Sequence, residues 1–284
     1  MPEGDTIFRA ARTLQRAIGG QAVTRFETVL PKLARVDFDS GVVGRVVEQV
    51  EARGKWMLMY FSGDLILLTH MLMSGSWHIY RPGEKWKLPA HSMRIAISTE
   101  KMMAVAFNLQ TAEFHTLSTI GRRAGFSTLG PSLLAEDFDE AEAVGRLMRR
   151  PELEVGVALL TQSIVSGIGN VYKSEVCFAC GIHPFRLVRS LLPEEAARLI
   201  GKAKEYLRAN VTDASGDQIV TYTGFRRTTS RSDPAERLWV YHRRGEPCRK
   251  CGTLIESYKQ GLDARTSFWC PVCQKKTTAA SVGR

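Results

Sequence analysis

The sequence predicts an α+β protein of more than one domain, with a leading helix, an antiparallel β-sandwich or barrel, a helical segment and a C-terminal four-cysteine ribbon. Three observations carry this expectation. Short β-rich stretches recur between residues 44 and 107, the texture turns helical after about Gly130, and two Cys-x-x-Cys steps stand in a basic tail.

Asp5 to Ile18 reads as the first helix, because Ile7, Ala11, Leu14 and Ile18 repeat at spacings of four, three and four before Gly19-Gly20 ends the run. The strand candidates are Gly44 to Val50, Lys55 to Phe61, Leu65 to His70, Ser76 to Tyr80, Met93 to Ser98 and Met102 to Phe107, with Ser62-Gly63-Asp64 as a hairpin turn. Antiparallel strands at this spacing favour a sandwich or barrel. Glu136 to Arg149, Leu153 to Val165, Asn170 to Cys180 and Pro193 to Asn210 then read as helices. A loop rich in Arg, Thr and Ser, 226 to 232, leads to the cysteines. The expected division is 1–130 for the β domain, 131–224 for the helices, and 225–284 for the loop and ribbon.

The 284 residues carry a formal charge of +10. From Phe225 to Arg284 there are 13 Lys and Arg against 5 Asp and Glu, a net +8, so most of the excess lies beside the cysteines. No stretch approaches the roughly 20 apolar residues of a membrane span. The start, MPEGDTIFRAA, lacks the basic-then-apolar order of a secretory signal, which points to the cytoplasm or a nucleoid within it.

In such a setting the tail cysteines read as metal ligands. Cys248/Cys251 and Cys270/Cys273 are separated by 18 residues and can present four thiolates tetrahedrally to one structural Zn²⁺, which would supply the folding energy of a segment too short for its own core. Arg249, Lys250, Lys259, Arg265, Lys275 and Lys276 around them suit phosphates. Cys177 and Cys180 share the spacing but continue an apolar helix, and read as buried thiols outside the metal site.

Ser163-Ile-Val-Ser-Gly-Ile-Gly-Asn170 joins two helices by a glycine turn. It lacks the third glycine of a dinucleotide fingerprint, so no nucleotide cofactor is expected. It is either an ordinary helix–helix turn or a phosphate site made of free N–H groups at a helix start. The Met-Pro start normally loses its methionine and exposes the secondary amine of Pro2. With a pKa of roughly 8, such an amine is partly neutral near pH 7 and can attack a sugar C1′. Glu3 beside it could serve as general acid. By itself, a Met-Pro-Glu start is in most proteins only a start, with no chemistry attached.

Together these residues resemble the formamidopyrimidine-DNA glycosylase and endonuclease VIII family, over essentially the whole chain. The resemblance rests on Pro2-Glu3-Gly4, Arg53-Gly54-Lys55, His70-Met-Leu-Met-Ser-Gly-Ser76, Gln162 to Asn170, Gly181-Ile-His-Pro184, Val240 to Cys248 and the ribbon with Arg265 ahead of its second knuckle. It implies an N-terminal β-sandwich with a leading helix, a helix-two-turn-helix domain and a zinc finger, with damaged DNA in the cleft between. It also implies a bifunctional glycosylase and abasic-site lyase acting as a monomer. Pro2 becomes the Schiff-base nucleophile, Glu3 the proton donor, and Lys55 the strand lysine at the abasic sugar. Asn170 becomes a phosphate contact, and Arg265 the finger arginine used in phosphate binding and elimination. His70, Leu72 and Met73 lie in the DNA-facing stretch that fills the void left by an extruded nucleotide.

Pro-Glu-Gly at the start resembles the endonuclease VIII branch, which favours oxidised pyrimidines. Asn108 to Phe114 lacks the Arg-Arg-Phe-Gly signature of the oxidised-guanine branch, although Met73-Ser-Gly-Ser76 resembles the latter. A zinc-ribbon DNA-binding protein without catalysis would need the tail and helices but not Pro2, Glu3 and Lys55. A redox protein would need all three Cys-x-x-Cys steps exposed to reaction.

Overall fold

A computed structural model describes residues 2–212, 228 and 237–276. The described residues form two compact units, one ending at residue 128 and the other beginning at residue 129 and including the ribbon.

The first unit opens with α1 (Gly4–Ile18), whose buried Ile7, Ala10, Ala11, Leu14 and Ile18 make one apolar stripe. Then come β1 (Arg25–Thr28), α2 (Pro31–Ser40), β2 (Val47–Arg53), β3 (Trp56–Phe61), β4 (Leu65–His70), β5 (Ser76–Tyr80), β6 (Met93–Ser98), β7 (Met103–Phe107), β8 (Thr111–His115) and the single turn α3 (Leu117–Ile120). Two antiparallel four-stranded sheets result, ordered β1-β6-β7-β5 and β2-β3-β4-β8. Val47, Met57, Met59 and Leu67 of one sheet share a core with Ile79, Ile95, Ile97 and Ala106 of the other and with the α1 stripe, so the unit is a sandwich. A second cluster covers the outer face of the first sheet, where Trp86 packs against Tyr80, Val105 and Phe107.

Strands β4, β5 and β6 keep the bounds expected from sequence. Strand β3 starts one residue later than expected, at Trp56. Gly54 (φ 59°) and Lys55 form the two-residue turn from Arg53, so Lys55 sits on a hairpin tip rather than in a strand. Strands β1 and β8 and helix α2 carry no strong periodic signal. β1 reads Arg-Phe-Glu-Thr, every residue of β8 is half-buried, and α2 buries Leu33 alone.

The second unit contains α4 (Glu140–Met148), α5 (Val155–Leu160), α6 (Asn170–Ala179), α7 (Pro193–Thr212) and the hairpin β9 (Glu256–Gln260) and β10 (Arg265–Trp269). Helix α4 begins four residues later than expected, because the Asp139 carboxylate caps the N–H of Glu142 at 2.8 Å. Helix α5 is far shorter than the expected Leu153 to Val165. Gln162 Nε2 donates to the carbonyls of Leu160 and Ile168, and Gln162 Oε1 accepts from Gly167, tying the chain into a loop.

Sequence reading separates helices and ribbon at 224/225, whereas the structure packs them into one unit. Ribbon residues Cys248, Ile255, Phe268 and Cys270 bury against Phe178 of α6, because the ribbon has too few apolar residues to close a core alone. The 224/225 boundary and most of the 226–232 loop lie outside the described residues. No helix among the described residues is long and apolar enough to cross a membrane.

Candidate nucleic-acid site and metal centre

Pro2 and Glu3 stand at the head of α1, and both are buried. Glu3 occupies the N-cap position with extended backbone, and its carbonyl accepts the N–H groups of Thr6 and Ile7 at 3.0 and 3.1 Å. Its side chain does not cap the helix. Two residues on, Asp5 is also fully buried and pairs with Arg9 at 3.6 Å.

Lys55 and His70 come together because β3 and β4 pair Trp56 opposite His70. The Trp56 ring meets the imidazole edge-on at 4.8 Å, and the Arg123 guanidinium lies 4.4 Å over the same indole. Glu113 of β8 holds Arg123 through two hydrogen bonds, at 2.8 and 3.2 Å. Burial, with the positive charges of Lys55 and Arg123 added, holds the His70 imidazole down at about 4. The ring is therefore neutral near pH 7. Its Nδ1 accepts the N–H of Leu72 at 3.0 Å, which leaves the ring proton on Nε2. That bond steadies Leu72 in the left-handed region (φ 50°) and presents Leu72 and Met73 to solvent, 38% and 65% exposed. A Cβ on Gly75 would lie 2.6 Å from the Met71 carbonyl, so the loop can close this tightly only on glycine. Sequence reading did not single out Arg123, whose link to Trp56 and Glu113 exists only once distant strands have paired.

In the second unit, Asn170 is the first residue of α6, behind the N-cap Gly169. Its Oδ1 is buried without a hydrogen-bond partner among the described residues. An amide can turn over about its own axis, so the first residue of this helix presents an unused hydrogen-bonding group. Arg265 is exposed at the start of β10, just past the turn through Gly261 (φ 69°) and Ala264 (φ 49°).

The sulfurs of Cys248, Cys251, Cys270 and Cys273 all lie within 4.8 Å of one another. Neighbouring sulfurs are 3.5, 3.6 and 3.9 Å apart, and tetrahedral Zn–S bonds of about 2.3 Å require separations of about 3.8 Å. The N–H groups of Lys250 and Cys273 point at the sulfurs of Cys248 and Cys270 at 3.4 Å. The donor set fits one structural Zn²⁺. Cys177 lies in the helical core and is pushed up to about 12 by burial, while Cys180 points at the Arg198 carbonyl, so neither joins the cluster. Metal analysis of Cys177→Ala/Cys180→Ala is therefore expected to return one zinc per chain, and a lower stoichiometry would reassign the site.

Residues 1–113 match the family model of the formamidopyrimidine-DNA glycosylase N-terminal domain, residues 129–221 that of the formamidopyrimidine-DNA glycosylase H2TH domain, and residues 245–276 a zinc finger found in FPG and IleRS. A probable endonuclease 8 2 of Streptomyces coelicolor is 38% identical, covering 100% of this chain and 98% of that one. The DNA-(apurinic or apyrimidinic site) lyase Nei2 of Mycolicibacterium smegmatis is 34% identical, covering 96% and 99%. A formamidopyrimidine-DNA glycosylase of Heliobacterium modesticaldum is 30% identical, covering 97% and 100%. Among solved structures, Lactococcus lactis Fpg in complex with DNA containing N7-benzyl-Fapy-dG superposes with a TM-score of 0.80 at 23% identity, covering 97% of this chain and 100% of that one, a likeness of fold. Sandwich, helical domain and four-thiol ribbon stand in the family's order, and relatives 30% to 38% identical match over nearly their full length; this chain belongs to the formamidopyrimidine-DNA glycosylase and endonuclease VIII family of base-excision-repair enzymes, on its endonuclease VIII side.

Proposed function

We propose that the protein is a bifunctional DNA glycosylase and abasic-site lyase that removes oxidised bases, pyrimidines foremost, and cleaves the strand by β/δ-elimination. The observation that carries this reading is the buried Pro2-Glu3 pair at the head of α1 in a chain of this family. The Pro2 amine forms a bond to the sugar C1′ as the bond from C1′ to the base breaks, and the base departs with that electron pair and with the proton the amine gives up. Glu3 gives a proton to the ring oxygen as the sugar opens. The resulting iminium draws electrons from C2′, which loses a proton while the 3′ phosphate leaves. A second loss, of the proton at C4′, releases the 5′ phosphate.

Lys55 holds the phosphate or sugar at the reacting nucleotide. The neutral His70 offers its Nε2–H to the backbone and keeps Leu72 and Met73 ready for the space the flipped nucleotide leaves. Asn170 and Arg265, both in the second unit, grip phosphates, and zinc holds the ribbon that carries Arg265. This reading asks for one chain, damaged DNA and no nucleotide cofactor.

Pyrimidine preference is supported by the Pro2-Glu3-Gly4 start and by the absence of Arg-Arg-Phe-Gly between 108 and 114. Met73-Ser-Gly-Ser76 and the Heliobacterium relative favour oxidised purines as the second reading. Strand cleavage is expected to run faster on a 5-hydroxyuracil duplex than on an 8-oxoguanine duplex, and the reverse order would move the protein to the purine side.

Glu3→Gln tests the chemistry itself. Base excision is expected to fall by roughly 10²- to 10⁴-fold, the usual contribution of a positioned general acid. A preformed abasic site has already lost its base, so its cleavage should fall much less. Equal losses on both substrates would mean that Glu3 shapes the site and donates no proton.

A further inference from the structure

Three residues past Asn170, helix α6 buries three consecutive polar side chains, Lys173, Ser174 and Glu175, each with no exposure. All three reach the ribbon or the chain leading into it. Lys173 Nζ donates to the Thr266 carbonyl at 3.1 Å, and Ser174 Oγ accepts from the Phe268 N–H at 3.3 Å. The Glu175 carboxylate accepts the N–H groups of Trp239, Val240 and Tyr241 at 2.8 to 2.9 Å, and also the Thr228 hydroxyl.

Ser174 and Glu175 dock the ribbon. Lys173 grips the carbonyl of Thr266, the residue after Arg265. Across the ladder from Arg265 stands Gln260, which is buried and donates to Glu154 at 2.9 Å and to the Pro184 carbonyl at 2.8 Å. Arg265 itself is exposed, but the residue after it and its ladder partner Gln260 are both held. A buried ammonium is costly to desolvate, and what the lysine supplies here is a direct tie between α6 and the Thr266 carbonyl.

We propose that Lys173 is a positioning residue for the reaction: by tying the Thr266 carbonyl to α6, it sets the Arg265 guanidinium in a fixed relation to Asn170 on the same helix, so that two phosphate contacts act as one clamp. This rests on the phosphate-contact reading of Asn170 and Arg265.

The test is a double-mutant cycle on cleavage of a preformed abasic duplex, with zinc content and Tm measured for each protein. Lys173→Met is expected to keep its zinc and to remain folded at the assay temperature, its Tm separating a loss of stability from a loss of rate. Its kcat should fall about 10- to 100-fold, the loss that follows when a contacting group is displaced by about 1 Å. Lys173→Arg, which keeps a buried donor, should recover most of that loss. In the Arg265→Ala background, Lys173→Met should cost nothing further. Multiplicative losses in the double variant, or a parental kcat in Lys173→Met, would overturn the proposal. Should Lys173→Met fail to fold, Lys173→Gln supplies the same cycle, with a smaller loss expected and the same requirement that Arg265→Ala abolish it. A parental rate in Arg265→Ala alone would instead remove the reading of Arg265 on which the inference rests, and so the two failures are told apart.

Discussion

Borohydride is expected to join this protein covalently to abasic DNA through Pro2. The imine forms only on a free terminal amine, and reduction fixes it as a stable C–N bond. Of the amines in the chain, a terminal proline needs the least help: its pKa is roughly 8, whereas a lysine near 10.4 must first be desolvated. It is also secondary, so attack on C1′ yields an iminium with a permanent positive charge, the electron sink that elimination needs. Pro2→Gly keeps a terminal amine but loses that secondary nitrogen and the fixed backbone at the head of α1. Trapping should slow severely. An N-terminal extension turns the nitrogen into an amide and should bring trapping to background, with fold and zinc content intact. Unchanged trapping by a protein that retains Met1 would place the nucleophile elsewhere. A protein that traps on no abasic strand under any condition would fit a zinc-ribbon DNA-binding protein without catalysis.

Arg265→Ala is expected to slow damage-dependent cleavage severely, to a residual rate still measurable in single turnover, while the four thiols keep their zinc. Arg265 and Lys275 are both exposed cations on the ribbon, which makes Lys275→Ala the proper control. A diffuse phosphate partner contributes mainly through counterion release, so losing one lowers affinity slightly and the salt slope by about 0.9. Lys275→Ala should do no more than that. Arg265 stands at the start of a strand whose next residue is tied to α6 and whose ladder partner is Gln260, and its planar fork can take two phosphate oxygens in one orientation. Arg265→Lys keeps the charge and loses the fork, and should fail nearly as badly as Arg265→Ala. Binding to undamaged duplex should fall far less in both. The comparison is strand cleavage on a 5-hydroxyuracil duplex at two salt concentrations. Indistinguishable behaviour of Arg265→Ala and Lys275→Ala would reduce Arg265 to part of the general electrostatic footing.

Candidate residues whose signal is local were legible before any fold was known. The Cys-x-x-Cys steps declare the metal centre because a zinc knuckle is set by a spacing of a few residues, and the thiols indeed converge within 4.8 Å. Strands β4, β5 and β6 keep the bounds read from sequence because their β-rich stretches are bounded by turn residues or polar segments. Lys55 was placed one residue wrongly because a two-residue hairpin tip and a strand start look alike until the pairing of Arg53 with Trp56 is known.

What sequence alone determined about this protein is the set of chemical groups: Met1-Pro2 followed by Glu3, a glycine turn into Asn170, four thiols and a basic tail. Tertiary structure decided which of them act together, and under what conditions. His70 is neutral because strand pairing buries it beside Lys55 and the Arg123–Trp56 stack, and only a neutral ring can accept the Leu72 N–H. Lys173 and Thr266 lie 93 residues apart, a separation no local pattern can span. The same holds for the polar strands β1 and β8 and for the ribbon's docking on Phe178. Periodicity and spacing record what a chain does with its near neighbours, whereas burial, charge environment and long-range hydrogen bonds exist only between segments that folding has brought together.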